Sequence, residues 1–272
     1  MRNANQSRQG VAETEVKKPF LKGAPLDENT LRNSLAFFGI MIVIVFVSFI
    51  ACASASFDIV ILRVLLNLAV VLVCGVVFYN NGAGRGAEAV TRGEILYQRQ
   101  EKGQTFSESE RKICFHPAKG FLIGLIGSLP FLIAALILAV NTTVQTTGSG
   151  TLPSWMQAYV RRSDIGGALV NYTQPDGMNA VDYLRAFIRI CILPFVNMIG
   201  YNNKYALLTI ERLSPLILLI PAVSYGTGYM TGRKIRTRIH TVISENDRKR
   251  IRKENKRKKM RSSRVKEPEQ LN

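Results

Sequence analysis

Four runs of about twenty apolar residues recur along a chain whose cations lie nearly all outside them. A helix rises about 1.5 Å per residue, so roughly 20 residues cross the ~30 Å hydrocarbon core of a bilayer. In lipid, backbone amides and carbonyls must be satisfied within the spanning structure, and an apolar run of this length does so as a helix. The runs cover residues 34–53, 59–79, 120–140 and 214–232. They predict an all-α, polytopic integral membrane protein with four transmembrane helices.

A formal charge of +17 combined with 47% hydrophobic residues is not the balance of a soluble basic nucleic-acid binder. Residues 1–33 are polar, so the first apolar run is expected to act as an uncleaved anchor. Only residues 54–58 separate the first two runs, which predicts a tight antiparallel hairpin. Pro130 is expected to kink the third span, and Pro215 and Pro221 fall within the fourth.

A fifth apolar stretch, 183–200, carries Arg185 and Arg189 on one face and is interrupted by Pro194. Charge decides how to read it, because Lys and Arg near span ends mark cytoplasmic loops. Residues 1–33 hold six cations, 80–119 hold seven and the tail from Arg233 holds sixteen, whereas 141–212 hold six against four acids. Only an even number of spans puts the three basic segments on one side. The stretch is therefore read as an outer interfacial or re-entrant helix; five spans, the alternative, would export the tail. The organisation expected is a cytoplasmic segment 1–33, a cytoplasmic loop 80–119, an extracytoplasmic segment 141–213 and a basic cytoplasmic tail 233–272, in the plasma membrane of a bacterial cell.

Within the loop, Gly82, Gly84 and Gly86 predict a flexible exit from the bilayer, followed by a helix over 87–102 with Glu88 and Arg92 four apart. Ser107 and Glu110 match a capping box for a second short helix through Phe115, which His116 and Pro117 then end. On the outer side, 141–150 reads as a Thr/Gly-rich linker and 152–162 as a surface helix bearing Trp155 and Tyr159.

Small residues recur every fourth position at Ser48, Cys52 and Ser56, at Gly120, Gly124 and Ser128, and at Ser224, Gly228 and Gly232. This spacing bares one helix face and lets backbones approach closely, either within the bundle or against a second subunit. Arg63 and Asn67, one turn apart in the second span, either snorkel toward the outer surface or join Arg185, Arg189, Glu211 and Arg212 in an intramembrane polar cluster. Such a cluster would line a solute vestibule or clamp the fold.

Chemistry-bearing patterns are sparse. None of the span centres contains Asp or Glu, which argues against proton- or sodium-coupled transport. His116 and His240 are the only histidines, and neither has a second ligand at metal-binding spacing. No GxSxG elbow occurs, and residues 81–86 lack the Lys-Ser/Thr of a phosphate-binding loop. Cys52, Cys74, Cys114 and Cys191 form no CxxC pair and read as plain thiols. The expectation is a non-enzymatic protein without cofactor or metal.

The tail is the strongest surface. Ile235, Ile239, Val242 and Ile243 define one helical face, and a basic amphipathic segment beside a span is expected to lie on anionic lipids of the cytoplasmic leaflet. Beyond it, Arg248, Lys249, Arg250, Arg252, Lys253, Lys256, Arg257, Lys258 and Lys259 form a block that would attract nucleic-acid phosphates without reading sequence, since no aromatic residue is interleaved for stacking. An intramembrane arginine and a cationic tail are also features of membrane insertases, but the long helical hairpin those carry between spans is not evident here. The function expected first is an accessory or scaffold subunit, with a membrane-protein partner or a second copy as its mate. An uncoupled permease and a membrane tether for ribosome or RNA are the alternatives.

Overall fold

The computed structural model describes residues 16–54, 59–143, 155, 156, 158–172, 179–200 and 203–264. Among these the protein is all-helical, with no strand. Four helices are long and apolar enough to cross a membrane: α1 (Glu28–Ser54), α2 (Val60–Glu101), α4 (Lys119–Asn141) and α8 (Lys204–Arg264). Between them lie α3 (Glu108–Lys112), α5 (Gly166–Tyr172), α6 (Ala180–Cys191) and α7 (Leu193–Ile199).

Local chemistry sets several of the ends. Asp27 caps α1: its carboxylate accepts from the Thr30 amide at 2.8 Å while the Thr30 hydroxyl accepts from the Asp27 amide at 3.2 Å. Ser107 and Glu110 form the reciprocal capping box of α3, but that helix ends at Lys112 rather than continuing to Phe115. The helix expected over 152–162 is represented among the described residues by a single 3-10 turn, Tyr159–Arg161.

The largest departure from expectation is the length of α2 and α8. The glycine-rich segment 81–86 is not a flexible exit; α2 runs straight through it for 42 residues, about 63 Å of helix. Likewise α8 runs for 61 residues, through Pro215 and Pro221 and into the basic tail without interruption. Glycine weakens an isolated helix by about 1 kcal/mol relative to alanine, so packing must compensate here. It does so along a seam between the two helices. A Cβ built on Gly82 would stand 2.1 Å from the Tyr225 carbonyl oxygen, one on Gly86 2.2 Å from that of Tyr229, and one on Gly228 2.1 Å from that of Tyr79. A Cβ built on Gly232 would in turn stand 2.3 Å from the Gly86 carbonyl carbon. Backbone meets backbone along this line, and no side chain larger than hydrogen fits.

The core of the bundle is built from Phe37 and Met41 of α1, Phe78 of α2, Ile123, Phe131 and Leu138 of α4, and Leu218 and Tyr225 of α8. Phe37 packs at 5.2 Å against Phe78 and edge-on at 5.3 Å against Tyr225, tying three helices at one level.

Helices α6 and α7 are 12 and 7 residues long and break at Ile192 ahead of Pro194, so neither has the length of a span. Together they form a V that enters the bundle. Arg185 of α6 reaches Glu211 near the start of α8, while Cys191, Pro194 and Phe195 at the tip face Ser48, Cys74 and Pro221 across a small apolar cavity of about 80 Å3. The chain then climbs back: Asn197 donates to the Cys52 carbonyl at 3.2 Å, and Gly200 lies against the Arg63 guanidinium. The segment 183–200 is thus two short helices packed against the long ones rather than a fifth helix of spanning length. Pro194 starts α7 without needing a backbone donor.

Candidate functional site

At one end of the bundle the polar residues converge on Glu211, which is 2% exposed. Arg185 and Arg189 stand one helical turn apart on α6, so both guanidiniums reach the same carboxylate: Arg185 Nε donates at 3.2 Å to one oxygen and Arg189 Nε at 2.8 Å to the other. The Thr142 hydroxyl, just past α4, donates to Glu211 as well, and Arg185 Nη2 donates to that hydroxyl and to the Thr143 carbonyl, each at 3.1 Å. Asp182 takes the remaining Arg185 nitrogen at 3.1 Å. Each charge is therefore paired and hydrogen-bonded, which is the condition for keeping ions out of water.

The six residues expected to cluster divide. Arg185, Arg189 and Glu211 meet. Arg212 is exposed and takes no part. Arg63 and Asn67 form a separate pair on α2, where Asn67 Nδ2 donates to the Arg63 carbonyl at 2.7 Å. Arg63 Nε and Asn67 Oδ1 are buried without a hydrogen-bond partner among the described residues.

The small-residue sets also divide by role. Gly228 and Gly232 form the seam with α2, and Ser224 continues it toward Gly75. Gly120 receives the Tyr229 ring and Gly124 abuts Ala222, so this set joins α4 to α8. Ser128 is buried and donates back to the Leu125 carbonyl at 3.1 Å. Ser48 lies 3.3 Å from the Cys74 sulfur, and the Cys52 carbonyl serves α7. Ser56 lies outside the described residues. Gly82 and Gly86, the partners of the α8 set, carry the same four-residue spacing and are packing positions rather than the flexible exit their sequence predicts.

The opposite end holds a second buried constellation, unforeseen from sequence. Glu94, on the extension of α2, accepts from Arg236 Nε at 2.9 Å and meets His240 Nε2 at 2.8 Å, so α8's extension is held alongside α2's. The segment before α1 lies over this end as a strap. Leu21 donates to the Gly93 carbonyl at 3.2 Å, Gly23 to that of Phe115 at 3.1 Å, and the Val16 amide to the Thr241 hydroxyl at 3.2 Å. Phe20 sits edge-on to Phe115 and beneath Arg233, while Phe115 stacks on Tyr229 at 5.4 Å. Beside them the buried Lys119 ammonium donates to Asp27 at 3.0 Å and to the carbonyls of Lys112 and Ile113. The Cys114 thiol is fully buried there, and burial pushes its pKa above 9.0.

Beyond His240 the helix carries Arg248, Lys249, Arg250, Arg252, Lys253, Lys256, Arg257, Lys258 and Lys259 as an exposed arm. Ile235, Ile239, Val242 and Ile243 are exposed. Among the described residues no group of three His, Cys, Asp or Glu side chains gathers in metal-binding geometry.

Comparison of the chain with protein-family models, curated proteins and solved structures finds no match. What fold and geometry define is an all-helical protein with four helices long and apolar enough to span a membrane.

Proposed function

We propose that this chain is a non-enzymatic multi-pass protein of the plasma membrane, with both termini in the cytoplasm, that serves as a scaffold or accessory subunit of a membrane complex. The membrane part of the reading is supported by what the helices leave uncovered. Only 6% of the most apolar window of α2 is buried, and Leu65, Leu72 and Val76 stand more than half exposed. Continuous apolar surface of this extent is not carried by a soluble monomer. The orientation follows from charge: Arg85, Arg92, Arg99, Lys112 and the arm all belong to the Glu94 end.

One observation carries the scaffold reading. The ions buried at the Glu211 end are bound to one another rather than lining a passage, while α8 leaves the bundle as an unbroken helix with an exposed cationic arm. A solute pathway would need such groups turned toward a channel, and the cavity at the tip of the V is small and apolar. Purification in mild detergent after crosslinking tests the proposal: a partner protein or a second copy is expected, and a solitary monomer would contradict it.

The reach of the arm favours a second reading, a tether for ribosomal or other RNA. Glu94 stands about 22 Å of helix beyond Tyr79, and Arg248 another ~22 Å beyond Arg233. Surface charge on a leaflet is screened within about 8 Å, so the block is carried past the lipid field rather than laid upon it. Deleting 248–266 should abolish co-sedimentation with ribosomes at low salt, and the wild-type association should fall steeply as salt rises; association that persists without the arm would exclude this role.

A further inference from the structure

A polar cavity of about 360 Å3 opens at the Glu94 end, where all four long helices contribute to its wall. This is the size range of small-ligand pockets, roughly 300–1,000 Å3. Arg32 and Asn33 come from the first turns of α1, Arg85 and Arg92 from α2 past its apolar part, Lys119 from the start of α4 and Tyr229 from α8.

The charges in this wall do not cancel. Lys119 is neutralised by Asp27 and gives its three donors to Asp27 and two carbonyls, so it closes the floor rather than binding anything further. Arg85 and Arg92 share the single carboxylate of Glu88, at 3.4 and 2.6 Å. Arg32 has no acidic partner among the described residues. Three guanidiniums against one carboxylate leave two positive charges facing one cavity. Tyr229 closes the inner wall: it is 2% exposed, with its ring stacked on Phe115, so the cavity ends against a buried aromatic side chain and opens on the guanidinium side.

We infer that this cavity binds a dianionic phosphate group, a phosphomonoester or inorganic phosphate, held by Arg32, Arg85 and Arg92. A phosphomonoester carries about −1.5 to −2 charges at neutral pH, which matches the excess, and its oxygens accept paired N–H bonds from guanidinium groups. The cavity lies where the apolar stretches of α1 and α4 begin, at the height where a lipid headgroup would present its phosphate to a protein embedded as proposed above. The inference goes beyond the scaffold reading, because free phosphate would fill the cavity whether or not the protein recruits a partner.

The test uses the full-length protein in mild detergent, titrated with short-chain phosphatidic acid, with inorganic phosphate and with phosphatidylcholine of the same chain length. Saturable binding near one equivalent with a rise in Tm is expected for phosphatidic acid if the source is lipid, and for inorganic phosphate as well if the source is soluble; either supports the site. Arg32→Gln combined with Arg85→Gln should weaken binding about tenfold or more. Glu88→Gln, which removes the competing carboxylate, should tighten it severalfold, a gain that a misfolded variant would not show. Lys256→Gln in the exposed arm should change nothing. Binding to neither phosphate compound, equal binding of phosphatidylcholine, or an affinity that neither the arginine pair nor Glu88→Gln alters would overturn the proposal.

Discussion

Glu94 and His240, separated by 146 positions in the chain, meet at 2.8 Å with both side chains nearly excluded from solvent. Arg236, one turn before His240, takes the other carboxylate oxygen. This contact fixes the direction in which α8 leaves the bundle, and so the place where its cations are presented. Glu94→Ala leaves Arg236 and His240 facing an empty site and should destabilise the pairing of the two extensions by about 2–4 kcal/mol. Limited trypsin digestion of the purified protein should then cut within 233–238 much faster than in the wild type, while the apolar parts of α2 and α8 stay protected.

At the other end, Glu211→Gln removes the one charge that Arg185 and Arg189 share. A loss of about 3–5 kcal/mol is expected, read as a fall in Tm and in protein abundance. Arg212→Ala, at an exposed position one residue on, should stay within about 0.5 kcal/mol of the wild type. For the permease alternative the informative variants are Arg63→Ala and Arg189→Ala: loss of solute uptake at undiminished protein level would favour a vestibule, whereas parallel loss of abundance fits the clamp described here.

The glycine seam makes a contrast within five residues. Gly86→Ala places a methyl group against the Tyr229 backbone and should cost about 1–3 kcal/mol, since backbone cannot step aside. Gly84→Ala meets nothing within 4 Å and should stabilise the helix by about 0.5–1 kcal/mol. Thermal unfolding of the two variants in the same detergent checks both signs.

Cys114 lies beneath the strap, with Gly23 and Ala24 bonded to the chain on either side of it. Burial raises its pKa above 9.0, so the folded state holds the thiol proton longer than the unfolded chain does. The stability this contributes is present below pH 9.0 and is lost as the pH rises beyond it. Alkylation of Cys114 at pH 8 should be slow in the intact protein and should accelerate when residues 16–24 are deleted. Equal rates would show that the strap does not cover it.

How much of this the sequence discloses depends on the range of the physics involved. The four apolar runs are visible because lipid demands length and composition, both of which are local. The break in 183–200 is visible because Pro194 and two arginines spoil a span. What stays hidden is pairing. Gly82 and Gly86 read as a hinge when taken alone, since glycine weakens a solitary helix; only Gly228 and Gly232 opposite them turn the same residues into a close-packed seam. Glu94 and His240 each look ordinary on a polar stretch, because a contact between residues 146 positions apart leaves no periodic signal in either segment. Arg185, Arg189 and Glu211 meet, yet Arg63 and Asn67 stay apart on α2 with Arg63 against Gly200 at the end of α7, a separation that no spacing in the sequence encodes.

The central claim is a bundle of four membrane crossings whose cationic arm faces the cell interior, and cysteine accessibility in intact cells tests it most directly. With Lys256→Cys on the arm and Tyr205→Cys at the start of α8, a membrane-impermeant maleimide should label position 205 in intact cells and position 256 only after the cells are broken. Labelling of position 256 from outside would contradict the account.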